Sequence, residues 1–186
     1  MKSGGNNGCG ERVKRPLLTI GYEGCSLEDF LETLRSAHVS VLLDVRELAI
    51  SRRKGFAKRV LSTALESIGI TYVHLKGLGD PREGRIALRM GNYGRFLKIF
   101  EKHMGTREAR TDLMRAEQFV RDGVACLMCY ERTPDRCHRT IVTRSLSNLI
   151  DLSVRHLRVA EGISRGSGKI RTRKNSKSRE GIAARR

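Results

Sequence analysis

A chain of 186 residues with 37 Lys and Arg against 20 acids carries a formal net charge of +17, and it fits one domain with flanking segments. No run approaches the roughly 18 apolar residues of a membrane span, and the start of the chain lacks the apolar stretch of a secretory signal, so a cytoplasmic protein with no membrane partner is expected. The five cysteines, Cys9, Cys25, Cys126, Cys129 and Cys137, are odd in number. In a reducing compartment they are free thiols, metal ligands or catalytic groups rather than a disulfide framework.

Residues 1–16 are expected to form a flexible lead. Leu17 to Ile20 is a short apolar run closed by Gly21, which predicts a buried strand. Ser26 then caps a helix on Leu27, Phe30, Leu31 and Leu34, with Glu28 and Asp29 in its first turn. Val39 to Val45 is a second strand, Lys58 to Ile68 a helix on Val60, Leu61, Leu65 and Ile68, and Ile70 to Leu75 a third strand. Lys76 to Gly94 carries five glycines and no clear period, so a loop long enough to suspect function is expected there. Helices follow over Tyr93 to Met104, with Phe96, Leu97 and Phe100 inward, and over Arg107 to Arg121. Val124 to Met128 is the fourth strand. Thr133-Pro134-Asp135 opens a helix running to about Ile150, and Leu152 to Val159 is a fifth strand.

Strands alternating with helices predict one α/β domain over residues 17–160, a Rossmann-like three-layer sandwich with a mainly parallel sheet of about five strands and helices on both faces. In such a sheet ligands bind outside the carboxyl ends of the strands. Residues 161–186 are expected to be a disordered basic tail; from Arg165 onward nine Lys and Arg face one acid, Glu180. Nucleic acid is therefore a second expected partner, held through residues 163–186 without sequence reading. With no Trp, five Phe and four Tyr, a stacking platform for single strands is poorly supported. Oligomeric state is not legible.

The strand-end segments hold the candidate chemistry. Gly21-Tyr22-Glu23-Gly24 precedes a helix but is neither a dinucleotide fingerprint nor a P-loop. Asp44-Val45-Arg46 places a carboxylate where it can orient Arg46 in a bidentate pair, and Ser51-Arg52-Arg53-Lys54 adds a basic cluster suited to phosphate or carboxylate. His74 ends the third strand. The densest stretch runs from Cys126 through Cys129, Glu131 and Thr133 to Cys137, His138 and Arg139. If Thr133 caps a helix, Cys137 lies in its first turn, where the dipole and flanking cations favour thiolate. Zinc on Cys126, Cys129, Cys137 and His138 is the competing reading. It is disfavoured because a strand turns Cys126 and Cys129 to opposite faces, so no metal ligand set and no cofactor are assigned. Burial as small hydrophobes is the third reading. A phosphatase or rhodanese loop, with thiolate and Arg six residues apart, does not fit: those places hold Asp135 and Thr143.

The order Thr19-Ile20-Gly21-Tyr22, Asp44-Val45-Arg46 with Ser51-Arg52-Arg53, Tyr72-Val73-His74-Leu75 with Leu78-Gly79, and Cys129-x-Glu131 leading to Cys137-His138-Arg139 resembles the domain of unknown function 488 family of small bacterial and archaeal proteins, over about residues 17–150. The resemblance implies an α/β domain and points to the same polar residues, but supplies no activity. Tyr130 departs from it, standing where relatives more often carry a small residue. The reading is a protein whose site binds an anion and which, if an enzyme, acts on a phosphorylated, nucleotide or nucleic-acid ligand. Cys129, Glu131, Cys137 and His138 are the candidate catalytic residues; Tyr22, Asp44, Arg46, Arg53, His74 and Arg139 are the candidate ligand-binding residues. The alternative is a non-catalytic nucleic-acid-binding module.

Overall fold

The computed structural model describes residues 14–166. Five strands, β1 (Arg15–Gly21), β2 (Val41–Asp44), β3 (Thr71–His74), β4 (Ala125–Cys129) and β5 (Leu152–Leu157), form one sheet in the order β3-β2-β4-β1-β5. Every pairing is parallel. The three-layer α/β expectation is met, because each strand must be joined to the next by a crossover over a sheet face.

Alternation along the strands decides which face each residue serves. Leu18, Ile20, Leu42, Cys126 and Met128 pack with Phe30 and Leu34 of α1 (Leu27–Ser36) and Leu61 and Leu65 of α2 (Lys58–Glu66). Leu17, Leu43, Leu127 and Cys129 pack on the other face. Their partners are Ala87 of α3 (Arg82–Arg89), Phe96 and Phe100 of α4 (Tyr93–Met104), Ala116 and Val120 of α5 (Arg107–Asp122), and Val142 and Leu146 of α6 (His138–Ser147). Cys126 and Cys129 therefore do face opposite ways. Val60, expected on the buried stripe of α2, is 52% exposed.

Two expected segments differ. The stretch from Lys76 to Gly94 is not a loop: it holds a 3-10 turn (Lys76–Leu78) and α3. Its glycines and its short apolar stripe, with Ala87 as the buried apolar residue, hid the helix. The helix expected from Thr133 is instead a 3-10 turn, Pro134–Arg136, after which Cys137 is extended (φ −107°, ψ 138°) and α6 starts at His138. The turn closes when the Cys137 N–H donates to the Pro134 carbonyl at 3.0 Å, so Cys137 precedes α6 instead of lying in a first turn capped by Thr133.

A short helix, α7 (Ile163–Gly166), follows β5. The Asp29 carboxylate accepts the N–H groups of Gly162 and Ser164, each at 3.0 Å, which ties the segment to α1 and holds that carboxyl below its ordinary range. Of the lead expected over residues 1–16, Arg15 and Pro16 belong to β1, and of the disordered tail expected over residues 161–186, Ile163–Gly166 forms α7; residues 1–13 and 167–186 lie outside the described residues. Among the described residues no helix is long and apolar enough to cross a membrane.

Candidate functional site

Parallel pairing sets Cys129 opposite Gly21, and Asp44 opposite both Met128 and His74, so the strands finish on one side. The strand ends, the loops that leave them and the first turn of α6 carry the polar residues picked out in the sequence.

The centre is a cluster of four side chains. Cys129 Sγ and Cys137 Sγ both donate to Glu131 Oε2, at 2.8 and 3.1 Å. Cys129 Sγ lies 3.6 Å from His138 Nδ1. His138 Nε2 donates to the Val45 carbonyl at 2.7 Å, so in the neutral ring the Nδ1 lone pair faces Cys129. Both cysteines and His138 are buried and Glu131 is half-buried. Burial alone would raise the Cys129 thiol, but hydrogen bonding from Cys137 and the His138 charge bring it below its ordinary value. Burial drives the Cys137 thiol well up, helped by its bond to Cys129. The low-pKa thiol is thus Cys129 at the strand end and not Cys137, which sits outside the helix whose dipole was expected to lower it. The same four residues could hold a metal ion: each offers one ligand atom, and these atoms lie within 4.8 Å of one another.

Gly21 makes the cluster possible. A Cβ there would collide with the Glu131 carbonyl oxygen and stand 2.7 Å from Arg139 Nη1, so any side chain would push the Glu131 segment away.

Asp44 and Arg46 form a second, buried centre. Arg46 Nε and Nη2 donate to the two Asp44 oxygens at 2.8 and 2.5 Å, while Nη1 donates to Tyr22 Oη at 2.9 Å and the Phe56 carbonyl at 3.0 Å. Tyr72 Oη adds a 2.6 Å bond to Asp44 Oδ2. The Tyr22 ring stacks on Phe56 at 4.4 Å between centroids. Arg46 is therefore engaged by the protein itself, and it also lines the inner of the two clefts at this edge. His74 is turned to the Arg46 carbonyl at 2.8 Å and does not join the four-residue cluster. Arg139 is also buried, and its Nη2 donates to the Arg132 carbonyl at 3.0 Å.

Two contiguous clefts open at this edge, and Arg139 lines neither. The inner one, about 240 Å³, is lined by Cys129, Glu131, His138, Asp80, Glu47 and Arg85 among others. The outer one, about 670 Å³, is lined by Arg52, Arg53, Arg85 and Arg89. Tyr22, Asp80, Tyr130 and Glu131 line both. Tyr130 stands edge-on to Tyr22 at 5.4 Å and is 43% exposed. Arg53 keeps its expected place at the cleft, donating from Nη2 to the Cys25 carbonyl at 2.6 Å.

Sequence reasoning missed Asp80, Arg85 and Arg89 because they come from α3 and the turn before it, a stretch whose pattern suggests a loop. Arg85 donates to Glu47 and to the Asp80 carbonyl. Asp80 is 5% exposed, and burial pushes its carboxyl up to about 6 against the pull of His138 and Arg85. Gly84 leaves room for it, since a Cβ there would collide with Asp80 Oδ1. The Asp-Pro pair ahead of a charged run was the signal that could have marked a helix start.

No curated protein and no solved structure matches this chain. The family model described as "Domain of unknown function DUF488" matches residues 26–146. That span takes in Asp44, Arg46, Arg53, His74, Cys129, Glu131, Cys137, His138 and Arg139, while Gly21 and Tyr22 lie ahead of it. With more than half of its length so matched and the fold in agreement, the chain belongs to the DUF488 family.

Proposed function

We propose that this protein is an enzyme acting on a phosphorylated, nucleotide-type ligand that lies across the two clefts. Its anionic group sits among Arg52, Arg53, Arg85 and Arg89, and its reacting atom at the Cys129-Glu131-Cys137-His138 cluster. The observation that carries this reading is the continuity of the clefts: an arginine-lined volume of about 670 Å³ shares Tyr22, Asp80, Arg85, Tyr130 and Glu131 with one of about 240 Å³ that Cys129, Glu131 and His138 line. The sizes suit a small-molecule ligand. Guanidinium groups hold phosphate through paired, charge-assisted hydrogen bonds. Tyr22 and Tyr130 offer an aromatic wall between the two spaces. Glu131 and Asp80 line both clefts and are placed to exchange a proton with a ligand spanning them.

Titration calorimetry of the full chain with inorganic pyrophosphate and with a nucleoside triphosphate tests this. Both Arg52 and Arg89 are exposed, so Arg52→Ala/Arg89→Ala is expected to fold normally. It should weaken binding by about 100-fold, at roughly 1.5 kcal/mol for each charge-assisted hydrogen bond removed. Equal affinity in wild type and double variant, or no binding of either probe to wild type, would overturn the reading.

A further inference from the structure

We propose that Cys129, Glu131, Cys137 and His138 form a binding site for one zinc-class divalent transition-metal ion. The proposal deepens the reading above, since the ion would sit where the ligand's reacting atom is placed.

The donor set is two sulfurs, one imidazole nitrogen and one carboxylate oxygen, the ligand types that such ions take in four-coordinate sites. With metal–ligand distances of about 2.0–2.3 Å, tetrahedral ligand atoms stand roughly 3.3–3.8 Å apart. The separations here are 2.8 Å between Cys129 Sγ and Glu131 Oε2, 3.1 Å between Cys137 Sγ and Glu131 Oε2, and 3.6 Å between Cys129 Sγ and His138 Nδ1, with none of the ligand-atom distances above 4.8 Å. They bracket the tetrahedral edge, so shifts of a few tenths of an ångström to about one ångström suffice to close the shell.

The support around the cluster is also of the kind a metal site uses. The Val45 carbonyl takes the His138 Nε2–H at 2.7 Å and thereby aims Nδ1 at the sulfurs, as outer partners orient metal-bound imidazoles. Cys129 is the last residue of β4 and His138 the first of α6, so two donors are fixed by regular structure, and Cys137 directly precedes the helix. The extended backbone at Cys137 lets two adjacent residues converge on one point. Cys126, the sulfur that a C-x-x-C reading would recruit, is buried on the opposite face of the sheet, and Glu131 stands in its place. The inner cleft reaches Cys129, Glu131 and His138 but is not lined by Cys137. The ion would thus be open on one side, and the half-buried Glu131 is the ligand best placed to yield to an incoming anion.

The test uses the full chain, reduced, stripped with a chelator and titrated with Co2+ and then Zn2+. About one cobalt per chain is expected, with a thiolate-to-cobalt charge-transfer band and intense visible bands of four-coordinate cobalt, both removed by zinc. Cys129→Ser and Cys137→Ser should each weaken cobalt binding at least 10-fold and reduce the charge-transfer band. Because these cysteines are buried, Glu131→Gln, in a half-buried position, serves as a second variant: it should weaken binding about 10-fold while the charge-transfer band persists. Cys25→Ala, on the other side of the sheet, should change neither. Absence of a charge-transfer band in the folded wild type, or an unchanged band in the folded Cys129→Ser/Cys137→Ser protein, would overturn the proposal. Pyrophosphate binding by the stripped protein separates the two readings. Arginine-dependent binding without cobalt binding would remove the metal alone, whereas cobalt binding without pyrophosphate binding would remove the anion-processing reading alone.

Discussion

Replacing Asp44 with alanine is expected to lower the unfolding free energy by about 3–5 kcal/mol, the range for breaking a buried ion pair by removing one partner. Asp44 is fully buried and Arg46 is 6% exposed. Without the carboxylate, the guanidinium would keep only Tyr22 Oη and the Phe56 carbonyl, and Tyr72 Oη would lose its acceptor. The cost comes from the stranded charge more than from the lost attraction, so a paired replacement should behave differently. Asp44→Leu/Arg46→Met, which removes both charges and keeps apolar bulk, is expected to lose far less than Asp44→Ala alone. Urea unfolding of the three proteins measures this. A loss below about 1 kcal/mol for Asp44→Ala would mean that water reaches Arg46 and that the pair does not hold the β2 loop.

A second large effect concerns pH. Asp80 has an ordinary carboxyl value of 3.8 in the unfolded chain and one pushed up to about 6 by burial in the folded protein. The folded state therefore holds this proton more tightly. Below about pH 4 both states hold the proton and the titration costs nothing; as pH rises from about 4 to 6 stability falls, and above that the ionised carboxylate leaves a penalty of about 3 kcal/mol. The charged groups around it act in both directions: His138 and Arg85 favour the carboxylate, Cys129 and Glu47 oppose it. Asp80→Asn removes the titration, so the metal-free variant is expected to be more stable than wild type at pH 7 by about 2–3 kcal/mol and equal to it near pH 4. Chemical unfolding of both chelator-treated proteins across that range isolates Asp80 from the other titrating groups. A difference that does not change with pH would sink the account. A gain in stability from losing a cleft carboxylate is the trade expected where a buried charge is kept for function.

The α1 cap was plain in the sequence, because Ser26 followed by Glu28, Asp29 and a helical apolar stripe leaves little else for the chain to do, and the Ser26 Oγ does accept the Asp29 N–H at 3.1 Å. The strands β1 and β4 were plain for a similar reason: short apolar runs between glycines and helical segments become buried strands. α3 was not plain, because its sequence offers three charged arginines and a glycine around one buried alanine. Nothing in that period shows that the helix will lay Arg85 and Arg89 along a cleft. The break between the 3-10 turn and α6 was equally hidden: Pro134 suits either a helix start or a tight turn, and the choice depends on packing that places His138 on Val45.

The sequence by itself determined the class of fold, the parity that separates Cys126 from Cys129, and the set of strand ends where the polar residues gather. These follow from local periodicity and from the shared direction of parallel strands, which a linear pattern encodes. Only the tertiary structure decided which residue meets which. It engaged Arg46 with Asp44, turned His74 to a backbone carbonyl, buried Arg139, moved the low-pKa thiol to Cys129 and brought Asp80, Arg85 and Arg89 into the clefts. Those outcomes depend on distances between segments far apart in the chain, and burial and charge act through such distances rather than through order along the sequence.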